Sequence, residues 1–194
     1  GTEQQLSMTI LILGASDDEH AIHMCGHLCQ NGADAVQIDC GWFPGEMTIA
    51  FDPEDGTGEI VVPGGRSISF DAVTSVYWRN YDGAYPSKLP DAYQNYIAEN
   101  DSRSLFESML IWLPARWVNG WDAVHLHQTK PVQLAMVAQL GVPIPRSIIT
   151  NAAPPLIQFV QRNPRSIFKP VQGGAHTRRL TPAELTPENL ASLH

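Results

Sequence analysis

Thr9-Ile10-Leu11-Ile12-Leu13-Gly14 is a continuous apolar run closed by a glycine, the form of a strand buried on both faces, as in a parallel sheet. Asp17 and Asp18 then offer a cap for a helix reaching about Asn31, with Ile22, Gly26 and Cys29 expected toward the sheet and Gly32 as its stop. A second strand, Ala35 to Asp39, follows at once, which makes a βαβ opening with an acid at the strand's carboxyl end. Met47 to Phe51 and Glu59 to Val62 read as a hairpin around a turn-rich segment, and Val73 to Trp78 as another buried strand that runs into Arg79 and Asn80. From Asp91 to Leu113 the spacing predicts a long amphipathic helix, with Tyr93, Ile97, Leu105, Phe106, Met109 and Leu110 largely on one side. Trp117-Val118-Asn119 closes this unit, which places a domain boundary near Gly120.

Beyond the boundary the pattern predicts a helix from about Thr129 to Leu140, ended by Gly141, with His125-Leu126-His127 before it in a solvated loop. A strand at Arg146 to Thr150, a helix at Pro154 to Gln161, a strand at Ser166 to Val171 and a short strand at Thr177 to Leu180 come next. A last helix is expected to start near Thr186 or Pro187. The fold class is therefore α/β, with domains at residues 8–120 and 121–194. Residues 1–7 have no apolar rhythm and precede Met8, so they read as an added segment with Met8 as the native start.

Composition narrows the classes. No stretch approaches the roughly 20 apolar residues of a membrane span, since the most apolar candidate, Met109 to Val118, is cut by Pro114 and Arg116. Three cysteines with no CxxC pairing fit a reducing compartment, so a cytoplasmic location is expected, with no membrane partner. The net charge of −8 argues against nucleic acid. That total hides an asymmetry: residues 1–120 carry 5 basic against 17 acidic side chains, whereas residues 121–194 carry 7 against 3. An anionic partner belongs to the second part.

Two lysines of that second part stand out. Lys130 sits at a helix start, where a cation is mildly disfavoured by the dipole unless an anion joins it on the free N–H groups. Lys169 lies in an apolar strand, where an ammonium must reach solvent or meet an anion. Gly173 and Gly174 follow, allowing close backbone approach to phosphate, and His176, Arg178 and Arg179 add donors beyond them. The ordinary alternative for Lys169 is a surface lysine on the polar face of its strand. In the first domain, Arg79 and Asn80 at a strand end are candidates for holding an anionic substrate group.

The series Lys130, Gln133-Leu134-Ala135, Gly141-Val142-Pro143-Ile144-Pro145, Thr150-Asn151, Lys169-Pro170 and Gly173-Gly174 resembles, in order and spacing, the ATP-grasp superfamily. Val118-Asn119, together with Phe43-Pro44 and Tyr77-Trp78-Arg79, is similar to the glutathione-synthetase-like branch and, within it, to the microviridin-type maturases of ribosomal peptides. The resemblance implies a Rossmann-like pre-ATP-grasp domain followed by the first part of an α+β nucleotide-binding domain. It implies ATP as the nucleotide, held by Lys130, Lys169, Gln172, Gly173 and Gly174. It further implies a carboxylate activated as an acyl phosphate and then attacked by an amine or hydroxyl, possibly on a peptide or protein substrate. Magnesium would serve the full-length enzyme through ligands outside this chain, since Glu184 and Glu188 do not reproduce the family's pattern; the chain is expected to be truncated before that part. The other reading is a non-catalytic module that keeps the scaffold to recognise a peptide or partner.

Two further patterns were weighed. His20, His23 and His27 share a helical face beside Cys25 and Cys29, but the spacing matches no closed zinc motif, and an ordinary helix surface is the expected reading. A dinucleotide site after the first strand is disfavoured, because Gly14-Ala15-Ser16-Asp17-Asp18 has one glycine and puts acids where pyrophosphate would sit.

Overall fold

The apolar run at residues 9–13 becomes the inner strand of a parallel sheet. In the computed structural model, which describes residues 8–81, 83–171 and 177–193, the chain forms two units that divide between Trp121 and Asp122. The first unit holds β1 (Thr9–Leu13), α1 (Glu19–Gln30), β2 (Asp34–Ile38), β3 (Thr48–Phe51), β4 (Gly58–Val61), β5 (Ser67–Ser69), β6 (Val73–Trp78), α2 (Ala92–Trp112) and β7 (Arg116–Val118). Its main sheet has the order β2-β1-β6-β7, and each pairing is parallel. Because β2 and β6 lie on opposite sides of β1, the strand order reverses at β1 and opens a crevice at the carboxyl ends, where Arg79 and Asn80 lie.

Burial explains the ladder. Leu11, Ile12 and Leu13 are all buried, as are Val36 and Ile38 on one neighbour and Val73, Val76 and Trp78 on the other. Strands flanked on both sides are expected to be apolar throughout, and β1 is. Gly14 then lets helix and strand close together, since a Cβ there would lie 2.8 Å from that of Ala21. A separate antiparallel sheet, β3-β4-β5, carries the expected hairpin and one strand more. β5 is only three residues long, with one buried position, Ile68, too short to show alternation.

Several expectations change. On α1 the inward residues are Ala21, Met24, Cys25 and Leu28, while Ile22, Gly26 and Cys29 are exposed. The face is rotated by about one residue, or 100°, because Ala21 is what the close approach at Gly14 accommodates. On α2 the C-terminal half is anchored by Phe106, Met109 and Leu110, but Tyr93 and Ile97 face solvent. Its apolar face outruns the sheet it packs on.

The second unit continues α3 (Trp121–Gln128), which starts on the last residue of the first unit, with α4 (Lys130–Gln139), α5 (Ala153–Arg162), β8 (Ser166–Phe168), β9 (Arg178–Leu180) and α6 (Pro187–Ala191). Residues 121–128 are therefore helical and not a loop; Asp122 in the first turn and His125 and His127 in the last suit the helix dipole. Residues 146–150 do not join a ladder among the described residues. Local bonds replace it: Ser147 Oγ donates to Pro145 O at 3.0 Å, and Ala152 N donates to Thr150 Oγ1 at 2.9 Å. β8 stops at Phe168, so Lys169 follows the strand and is not inside it. Among the described hydrophobic residues of this unit only Val160 is buried.

Candidate functional site

The second unit encloses a cavity of about 1000 Å³ between the start of α4, residues 145–150, and the β8–β9 pair. Lys130 and Lys169, 39 positions apart in sequence, both line it. Arg146, Arg165 and Arg178 also line it, against a single carboxylate, Glu184. That carboxylate is already engaged, accepting from Thr181 N at 2.7 Å and Thr181 Oγ1 at 3.2 Å. None of the five cations is in an ion pair among the described residues, where both ion pairs lie in the first unit. Unneutralised positive charge around a shared space has one chemical use that its surroundings favour, the binding of a polyanion.

Each cation is positioned by its element. Lys130 opens α4, whose N-cap Thr129 makes no side-chain cap; the Thr129 hydroxyl donates instead to His125 O at 3.0 Å. The helix start is left for an outside acceptor. In the β8–β9 register Phe168 stands opposite Arg178, so Lys169 and Arg178 flank the connection between the strands. Arg179, one position on, is not among the cavity's lining residues, as strand alternation requires. Gln172, Gly173, Gly174 and His176 lie outside the described residues. Arg146 and Arg165 are the members that sequence reasoning missed, because they sit in segments with no motif; the excess of basic residues after position 120 was their only signal.

In the first unit the crevice is closed by its own hydrogen bonds. Ser16 N donates to Asp39 Oδ2 at 2.6 Å, and Ala15 N to Asn80 Oδ1 at 3.0 Å. His20 N and Ala21 N both donate to Asp18 Oδ1 at 2.9 Å. The amides a pyrophosphate would need are thus held by side-chain oxygens, two of the three side chains being acids, which argues against a dinucleotide here. Arg79 reaches the same loop, its Nη2 lying 3.1 Å from Asp18 Oδ2 and its Nε donating to Asp18 Oδ1 at 3.2 Å. Arg79 and Asn80 therefore brace residues 15–18 from the end of β6.

The Ala21 amide, with the Arg79 charge and the His20 amide, holds the Asp18 carboxyl below its ordinary value of 3.8. A lowered carboxyl contributes stability that is present above its unfolded value and lost as pH falls through its folded one. Asp18→Asn is expected to lower stability at neutral pH and to flatten the loss of stability below about pH 4; urea titrations between acid and neutral pH measure this. An unchanged acid limb in the variant would contradict it.

Beside the crevice, Trp78 is the hub of an aromatic cluster, with ring centroids 5.2 Å from Trp121, 5.8 Å from Trp117 and 6.0 Å from Tyr81. Burial, and then the Glu107 carboxylate, push the Tyr81 hydroxyl well above its ordinary value, so it stays protonated and donates to Glu107 at 3.3 Å. Among the described residues no three His, Cys, Asp or Glu side chains are placed to hold a metal ion. No helix among them is long and apolar enough to cross a membrane.

Comparison with known proteins bears on both units. The MvdD pre-ATP-grasp domain model matches residues 9–125. The macrocyclase MdnC of Microcystis aeruginosa MRC, solved with its precursor peptide MdnA, superposes with a TM-score of 0.83 at 22% identity, over 96% of this chain and 65% of that one. The ATP-grasp ligase PsnB, solved with a phosphomimetic variant of a minimal precursor, Mg and ADP, gives 0.74 at 26% identity, over 95% and 61%. PsnB with a precursor peptide and AMPPNP gives 0.70 at 25% identity, over 100% and 64%. The chain thus spans less than two thirds of each of these ligases. No curated protein sequence matches it.

Proposed function

The chain belongs to the MvdD pre-ATP-grasp domain family, and on that premise we propose that it forms the front unit and the phosphate-binding part of an ATP-dependent ligase that modifies a peptide. The observation that carries this reading is the shared cavity: Lys130 and Lys169, on separate elements, line one space with three arginines and one carboxylate. Such a set fits the triphosphate of ATP. In the reaction proposed, a peptide carboxylate attacks the γ-phosphoryl group, ADP leaves, and an amine or hydroxyl displaces phosphate from the acyl phosphate to give an amide or ester. Preorganised positive charge stabilises the oxygens that gain charge in the first step. Lys130 and Lys169 hold the phosphates; Gln172, Gly173 and Gly174 are assigned to their cover on the strength of the family resemblance.

Magnesium does not fit the described residues, which lack a cluster of acidic ligands, and no step is routed through it. Arg79 and Asn80 stay on the substrate side of the proposal, with one constraint. A substrate anion would have to compete with Asp18 for the Arg79 guanidinium.

The test is calorimetric binding of AMPPNP to the chain. Four of the five cations are exposed, so binding is expected to be weak, with Kd about 1 mM at low salt. It should weaken several-fold between about 0.05 and 0.3 M salt, because exposed charges are screened over a Debye length that shrinks with ionic strength. Absence of saturable binding at low salt, or binding indifferent to salt, would overturn the reading.

A further inference from the structure

α1 carries two thiols that the proposed ligase chemistry does not use. Cys25 and Cys29 are four residues apart and so share a helical face; both are free, Cys25 partly buried and Cys29 exposed. Their side chains hydrogen-bond to each other, and the backbone amide of Gln37 also bonds to Cys25. Cys29 Sγ reaches Ala35 O at 3.6 Å. Ala35 and Gln37 both belong to β2, an edge strand of the main sheet. The two sulfurs are therefore held together by the strand beneath them.

Three uses of such a pair can be compared on geometry and acidity. A disulfide needs Cβ atoms about 3.8 Å apart, whereas residues i and i+4 of a helix hold theirs about 5–6 Å apart, so α1 would have to deform. A reactive thiol needs a lowered pKa, but burial, and then the neighbouring Cys29, push the Cys25 thiol up. A bridging metal fits better: two metal–sulfur bonds of about 2.3 Å place the sulfurs roughly 4.6 Å apart, in keeping with the helical spacing. Zinc would need further ligands, and no third His, Cys, Asp or Glu is placed to join among the described residues. His23 and His27 stack on each other at 6.2 Å, and the helical repeat turns them away from the cysteine face.

We propose that Cys25 and Cys29 form a two-thiolate site for a soft monovalent cation of the Cu(I) class, seated against β2. Soft thiolates select such ions. On binding, both S–H bonds break, two protons leave to solvent and two metal–sulfur bonds form without redox change. The site gains one net negative charge, which the Gln37 amide and the Arg66 guanidinium offset, both of them already favouring the thiolate of Cys25.

The experiment is anaerobic titration of the whole chain with Cu(I) in competition with bicinchoninate. Wild type is expected to take up a single equivalent against the chelator, with ultraviolet thiolate-to-metal absorption. Cys25→Ser and Cys29→Ser should each lose that step, while a His23→Ala, His27→Ala double variant retains it. Because Cys29 is exposed, Cys29→Ser should keep the fold, as circular dichroism can verify, and it decides the matter alone. Failure of wild type to compete, uptake unchanged in Cys29→Ser, or uptake lost in the histidine variant would each overturn the proposal.

Discussion

Phe106→Ala is expected to destabilise the first unit by about 3–5 kcal/mol, the usual loss for a buried phenylalanine. Phe106 is fully buried, stacks on Tyr81 at 5.5 Å with an interplanar angle of 13°, and meets Phe43 at 6.0 Å. It ties α2 to the segment that follows β6. Truncation removes transfer free energy and leaves a cavity beside a Tyr81 hydroxyl that is bonded to Glu107. Against a total domain stability of about 5–15 kcal/mol, the variant should unfold at much lower urea, with Phe106→Leu in between. A loss below about 1 kcal/mol would mean that α2 is not anchored there.

The second large effect concerns nucleotide phosphates. Lys130→Ala and Lys169→Ala are each expected to weaken ATP binding about ten-fold, as charge-assisted hydrogen bonds to phosphate are lost. The mechanism sets a pattern as well as a size. Both lysines should act on polyphosphate, so AMP binding should change little in either variant. Arg179→Ala, at a position that does not line the cavity, should leave ATP binding near wild type.

How far the fold could be read from sequence depended on how much each segment's environment came from its own pattern. β1, β6 and the course of α2 were legible because burial on both faces, or on one long stripe, writes itself into consecutive residues. The comparisons support the α/β class and the ATP-grasp relationship expected from the motifs. Faces were less legible than elements. The inward face of α1 was decided by the close approach of Ala21 to Gly14, a contact between segments that no periodicity encodes. Tyr93 and Ile97 read as core because they are apolar at helical spacing, yet they lie past the end of the surface that α2 covers. Residues 146–150 read as a strand, but a strand needs a partner, and local hydrogen bonds take its place among the described residues.

The candidate site shows the same division. Lys130 and Lys169 could be singled out because each sits where a cation is locally unfavourable, at a helix start and beside an apolar strand. Arg146 and Arg165 occupy ordinary polar segments, and only the folding of residues 145–170 around one cavity brings them in. Arg79 shows the reverse case. A basic residue at a strand end suggested a substrate contact, and the structure gives it Asp18, an acid 61 positions earlier.

The most direct measurement compares ATP, ADP and AMP affinities in wild type, Lys130→Ala, Lys169→Ala and the double variant. If both ammonium groups meet one polyphosphate, wild-type affinity rises with each added phosphate, either single substitution removes most of that rise, and the double variant binds all three nucleotides alike. An undiminished preference for ATP over AMP in either single variant would show that the two lysines do not serve a common site.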